Sequence, residues 1–166
     1  MKKTLVKGFS LIEIMVVITI FAILGILVTG SIILTLQGTQ KSESLIRARE
    51  NLNYSLGVIE RNIRNANSIP DCSGTASNTI SYLDENGNPA SFSCVNTGSD
   101  DSYVASSSAR LTSSVIKITD CSFICTPPDS DNPPLVTINL SVQDASASGI
   151  LGASVTASTQ IYLRNY

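Results

Sequence analysis

Lys7-Gly8-Phe9-Ser10-Leu11-Ile12-Glu13 is the stretch on which the reading of this chain turns. From Phe9 to Leu36 the sequence is almost wholly apolar, and Glu13 is its single charge. A helix over that run rises about 1.5 Å per residue and measures roughly 40 Å, enough to cross the hydrocarbon core of a bilayer. A carboxylate inside such a segment costs roughly 2.5 kcal/mol or more on insertion scales, so intramembrane charges usually have a functional partner. The plain alternative is that Glu13 lies near enough to the membrane edge to reach the headgroups. Lys2, Lys3 and Lys7 precede the run and the next cation is Lys41. The positive-inside rule then predicts a cytoplasmic N-terminus with the bulk of the chain outside. A cleaved secretory signal has an apolar core of only about 7–15 residues, and no Ala-x-Ala site follows here, so the expectation is a retained anchor.

The flanks add a second layer. A short basic leader, Gly8, the aromatic Phe9, Glu13 at the fifth place counted from Phe9, and a long apolar helix together resemble the type IV prepilin signal. The resemblance implies that a prepilin peptidase cuts between Gly8 and Phe9 and methylates the new amino terminus on Phe9. It further implies that Glu13 pairs with the amine of a neighbouring subunit. That role has a physical reason, because an ammonium entering an apolar environment is very costly alone and much less so when paired. The partners implied are other pilin subunits in a helical filament, the peptidase, and an assembly platform in the membrane.

Composition narrows the rest. The chain has 166 residues, a formal net charge of −2, 14% charged residues and no histidine. The mild acidity gives no support for nucleic-acid binding. Without histidine the commonest general base and metal ligand is missing, and no Ser-His-Asp or Cys-His pair exists. Neither phosphate-binding glycine pattern appears. The expectation is no enzyme, no cofactor and no metal. Asp100-Asp101 and Asp129-Ser130-Asp131 carry oxygen ligands of the kind calcium takes, but the second segment has too few for an EF-hand loop and both read as solvated surface.

Four cysteines, Cys72, Cys94, Cys121 and Cys125, all follow the apolar run. In an exported domain they are disulfide candidates, and three pairings exist. The interval from Cys121 to Cys125 is compact enough for a local loop, which leaves Cys72 with Cys94. A zinc site is disfavoured by the absence of paired C-x-x-C spacing.

Past Leu36, the residues Leu45, Ala48, Leu52, Leu56, Ile59, Ile63 and Ala66 recur at intervals of three and four, one apolar stripe on a helix. Glu43–Arg47 and Glu60–Arg64 are i,i+4 pairs in the favourable sense. One long helix from about Ser10 to Asn65 is expected, ended by Asn67-Ser68-Ile69-Pro70. Gly25, Gly30 and Gly38 lie along it as small residues of a membrane helix. Next, Thr79–Leu83 and Ala90–Val95 flank Asp84-Glu85-Asn86-Gly87-Asn88 as a hairpin with an Asn-Gly turn. Asn96–Ser108 reads as a loop with a short strand near Tyr103, Val115–Thr119 as a strand, and Thr126–Pro134 as a rigid polar loop. Leu135–Val142 and Ser154–Leu163 alternate as strands, joined by the small-residue connection Gln143–Gly152.

The expected organisation is therefore a leader over residues 1–8, a membrane or filament-core helix over 9–36, its amphipathic continuation over 37–66, and an extracytoplasmic β-rich domain over 67–166. The fold class is α+β, a helix stripe under an antiparallel sheet, similar to the pilin fold. The order of elements, with Asn62-Ile63-Arg64-Asn65-Ala66 at the helix end, Arg110-Leu111-Thr112 and Ile161-Tyr162-Leu163-Arg164-Asn165, resembles minor pilins and pseudopilins of the J/W type. Major pilins and membrane-anchored exported binding proteins are the alternatives.

Overall fold

Helix α1 spans Leu11–Arg64 in the computed structural model, which describes Gly8, residues 10–130, 132–146, Gly152 and residues 154–164. The carbonyl of Ser10 accepts the N–H groups of Glu13 (3.0 Å) and Ile14 (3.3 Å), which closes the first turn. At the other end the chain leaves the helix by docking on a strand. Asn67 N–H donates to the Leu83 carbonyl, and Leu83 N–H donates back to the Ser68 carbonyl, both at 2.9 Å. The helix thus stops before Pro70 disfavours it.

The chain divides into two compact units, Met1–Thr39 and Gln40–Tyr166. In the first, every described residue is exposed, although the segment is built from Ile, Leu and Val. Among the described residues four threonines interrupt it, and each hydroxyl donates to a carbonyl of its own helix: Thr19 to Val16, Thr29 to Gly25, Thr35 to Ser31 and Thr39 to Leu36. These polar groups are satisfied without water, as a lipid environment requires. By length and composition α1 is able to cross a membrane.

Among the described residues the second unit holds the rest of α1 and eight strands: β1 (Ala76–Ser77), β2 (Thr79–Leu83), β3 (Pro89–Val95), β4 (Tyr103–Ser106), β5 (Ala109–Arg110), β6 (Ile116–Thr126), β7 (Leu135–Asp144) and β8 (Ser154–Tyr162). All strand pairs are antiparallel. The α+β class is as expected, but the strands form two four-stranded sheets, β1-β6-β7-β8 and β2-β3-β4-β5, where one was anticipated. The predicted stripe is the buried face of the helix: Ala48, Leu52, Leu56, Ile59, Ile63 and Ala66 all lie in the core, and Leu45 is half-buried. Opposite it the alternating residues Val136, Ile138, Leu140 and Val142 of β7 are buried, as the period-two pattern predicts. Two contacts fix the direction of packing. Arg47 meets Asp144 at the end of β7, whereas the Arg64 carbonyl accepts Arg164 N–H (3.0 Å) beside its beginning. Within this unit α1 therefore runs antiparallel to β7 and parallel to β8.

Strand β6 is longer than the expected Val115–Thr119. Ile116 and Ile118 point inward, then the pairing register with β7 shifts between Ile118 and Asp120, and the inward set becomes Cys121, Phe123 and Cys125. Thr119 is the extra residue of a β-bulge, which keeps both halves of the strand facing the core.

This extension corrects the disulfide expectation. Cys121 and Cys125 lie four residues apart on one strand, a separation of about 13 Å, whereas a disulfide needs Cα atoms within about 7 Å. The bridges are Cys72–Cys125, with Cα atoms 4.9 Å apart, and Cys94–Cys121, at 6.3 Å. The local loop and the Cys72–Cys94 pair do not form. The second bridge joins β3 to β6 and so staples one sheet to the other.

Candidate functional site: the N-terminal segment and its globular support

Glu13 sits in the first turn of α1, where a carboxylate is favoured by the partial positive charge of the helix start. It is exposed, within a surface of exposed Leu11, Ile12, Ile14, Met15 and Val16. That surface needs lipid or other helices to cover it, and Glu13 is the one charge such a cover has to accommodate. Gly8 precedes the helix and has no regular structure. A Cβ built on it meets no heavy atom within 4 Å. Phe9, Lys2, Lys3 and Lys7 lie outside the described residues.

Among the described residues of the globular unit, one charged side chain is buried. Asp144 is fully buried at the end of β7, and its Oδ1 accepts the backbone N–H (2.8 Å) and hydroxyl (2.5 Å) of Ser146. Its Oδ2 accepts Arg47 Nε at 3.0 Å. Burial pushes the carboxyl pKa up, but the Ser146 hydrogen bonds and the Arg47 guanidinium together outweigh it and hold Asp144 below the ordinary carboxylate range. Arg47 also reaches Glu43 at 3.4 Å, so the expected helical pair exists as part of a three-residue link between helix and sheet. Glu60 and Arg64 pair as expected. Sequence reasoning missed Asp144. Its signal was available, since it continues the inward parity of Val136, Ile138, Leu140 and Val142 by one step.

Asp84 organises the hairpin turn. Its Oδ1 accepts the backbone N–H groups of Asn86 (2.9 Å) and Asn88 (2.8 Å), and Gly87 adopts φ +79°. The Asn88 backbone bond, ahead of the others, holds the carboxyl below its usual range. The acidic segments weighed as calcium ligands have protein partners: Asp100 faces Lys117 at 3.4 Å, and Asp129 accepts Asn132 N–H at 2.8 Å. Asp131 lies outside the described residues, and among the described residues no group of three or more His, Cys, Asp or Glu could hold a metal.

Residues 4–29 match the family model of the prokaryotic N-terminal methylation motif. This range includes the Gly8–Phe9 bond and Glu13, and it supports a type IV pilin-like prepilin, the kind of protein a prepilin peptidase processes. No curated protein and no solved structure matches the chain.

Proposed function

We propose that this chain is a minor pilin or pseudopilin of the J/W type, cut between Gly8 and Phe9, methylated on Phe9, and assembled into a filament through α1. The observation that carries the reading is the coincidence of a methylation motif with a membrane-length helix whose single charge, Glu13, stands one turn from the new amino terminus. Before assembly the chain is a single-pass protein of the cytoplasmic membrane, with its N-terminus inside and the β-rich unit outside. On assembly, the Glu13 carboxylate neutralises the Phe9 amine of a neighbour, so a group that is costly in lipid becomes a register mark between subunits. The role is structural rather than catalytic, in keeping with the absence of histidine and of recognisable catalytic constellations.

Intact mass after co-expression with a prepilin peptidase tests this directly. The expected product has lost residues 1–8, gained one methyl group, and shows the four-hydrogen deficit of two disulfides. An uncleaved chain that stays in the membrane would overturn the proposal. Glu13→Gln is expected to be processed normally yet to lose incorporation into filaments, whereas retained incorporation would remove Glu13 from the assembly mechanism.

A further inference from the structure

We propose that Asn86–Gly87 is a site of spontaneous covalent modification, in which Asn86 loses its amide through a cyclic imide, and that Asp84 sets the rate by holding the turn closed. In this chemistry the backbone nitrogen of the following residue attacks the asparagine Cγ. A new C–N bond closes the imide ring and the Cγ–Nδ2 bond breaks. The amide departs as ammonia, taking the proton that the backbone nitrogen gives up. Water then opens the ring at one carbonyl or the other. The product is aspartate, or an isoaspartate whose side-chain carbon has entered the backbone. Water is the one reagent consumed.

A side chain on the attacking residue hinders the approach, so glycine is the most reactive successor. Asn86 is the only asparagine of this chain that glycine follows. Both residues are exposed, and the Asn86 side chain has no hydrogen bond among the described residues. A Cβ built on Gly87 meets no atom within 4 Å, so no neighbour shields its nitrogen from that side.

The restraint comes from Asp84. Its carbonyl accepts Gly87 N–H at 3.0 Å, and its Oδ1 accepts the N–H groups of Asn86 (2.9 Å) and Asn88 (2.8 Å). Its Oδ2 accepts Asn88 Nδ2 at 3.3 Å, and its own N–H donates to the Asn88 carbonyl at 2.9 Å. One residue thus holds three successive backbone N–H groups. The Gly87 nitrogen cannot give its proton to water while that proton lies on the Asp84 carbonyl, so ring closure waits for the turn to open. The turn lies beyond the last paired residues of the hairpin, Leu83 and Pro89, and opens without unfolding the core. The reaction is therefore slowed and not abolished.

The product alters a defined place. Asp84, Glu85 and Asn86 line a cleft of about 380 Å³ together with Arg61, Asn62 and Asn65 of α1. Arg61 has no ion-pair partner among the described residues. Modification adds a carboxylate to the cleft that this arginine lines, and the isoaspartate form lengthens the turn by one backbone atom.

The test incubates the full chain in detergent at mildly alkaline pH and follows Asn86 by peptide mapping and isoaspartate methyltransferase labelling. Product is expected at Asn86 ahead of every other asparagine, at least about tenfold more slowly than in a free peptide of residues 82–90. Asp84→Ala is expected to raise the rate at least about tenfold, and the hydrogen exchange of Gly87 N–H with it. Asp84→Asn removes the charge but keeps an oxygen for the same N–H groups, and is expected to lie nearer to the native rate. First product at another asparagine would overturn the inference. So would a native chain as fast as the peptide, an Asp84→Ala chain no faster than native, or equal rates in the two variants. If Asp84→Ala does not fold, the comparison of native chain with peptide still decides. The readout at residues 82–90 is independent of cleavage at Gly8–Phe9, so neither result stands in for the other.

Discussion

Replacing Cys94 and Cys121 by serine removes the staple between the two sheets, and its cost follows from loop lengths. Cys94 and Cys121 are 27 positions apart and Cys72 and Cys125 are 53 apart, with the smaller loop nested in the larger. Taken singly, the chain-entropy relation assigns about 3.6 kcal/mol to the inner bridge and about 4.2 kcal/mol to the outer one. Nesting changes both values. With the inner bridge closed, the outer constrains only residues 72–94 and 121–125, so it contributes about 3.6 kcal/mol. By the same thermodynamic cycle the inner bridge contributes about 3 kcal/mol while the outer remains. For a unit of this size that loss lowers the melting temperature by about 10 °C. The assay is urea and thermal unfolding of the detergent-solubilised full chain, followed by tyrosine fluorescence. Tyrosine is the natural reporter here, since the chain has five tyrosines and no tryptophan, and Tyr82 is buried. Intact mass under non-reducing conditions confirms that one bridge survives in each double variant. A loss under about 1 kcal/mol for either pair would refute the loop-entropy reasoning. A Cys72→Ser/Cys125→Ser variant with free thiols at both remaining cysteines would refute the pairing.

Other outcomes can be stated more briefly. Asp144→Asn is expected to cost about 1–2 kcal/mol at neutral pH, at the modest end because Arg47 is 44% exposed and screened. Asp144 has a lowered folded pKa, so its contribution is complete above the ordinary value of 3.8 and is lost as pH falls through the folded pKa; the variant's stability curve should lack that acid limb. An unchanged acid limb would show that the carboxylate is not the titrating group. Gly87→Ala should cost about 1 kcal/mol purely through its left-handed backbone, since a Cβ there meets no atom within 4 Å. A neutral result in chemical unfolding would mean that the turn relaxes. Deleting Thr119 removes the bulge, so one half of β6 must turn its inward residues to solvent. Non-reducing peptide mapping should then show the loss of at least one native disulfide, and retention of both would contradict the observed register.

Where one physical signal dominated, the sequence was informative. The stripe from Ala48 to Ala66 obeys a single period, and the helix limits, its buried face and the Asp84–Asn88 turn followed from it and from turn chemistry. β7 was legible for the same reason, its alternation being unbroken. β6 was not, because the bulge at Thr119 puts Ile116 and Ile118 out of phase with Cys121, Phe123 and Cys125, and a strict period-two reading ends at the break. The disulfide error descends from that misreading: once 120–126 is taken as loop, Cys121 and Cys125 look close, and once it is strand they are far apart. The division into two sheets depends on pairings such as β1 with β6, between residues about 50 positions apart, which no local pattern encodes. At the N-terminus the position was reversed. Gly8, Phe9 and Glu13 were read from motif and hydropathy alone, and of these the structure describes Gly8 and Glu13, both exposed.

The Cys72–Cys125 bridge also determines how the molecule responds to tension. A pull applied between the Gln40 end and β8 travels down α1 to Cys72 and crosses directly to the end of β6, which is hydrogen-bonded to β7 along its length. Everything between Cys72 and Cys125, including the whole β2-β3-β4-β5 sheet, lies off that route and cannot be drawn out while the sulfur bridge holds. Beyond Cys125 the load continues through residues 126–134 into β7, which is held by its hydrogen bonds to β6 and β8. Reducing agents would therefore change the extensible length of the domain under load far more than its shape at rest.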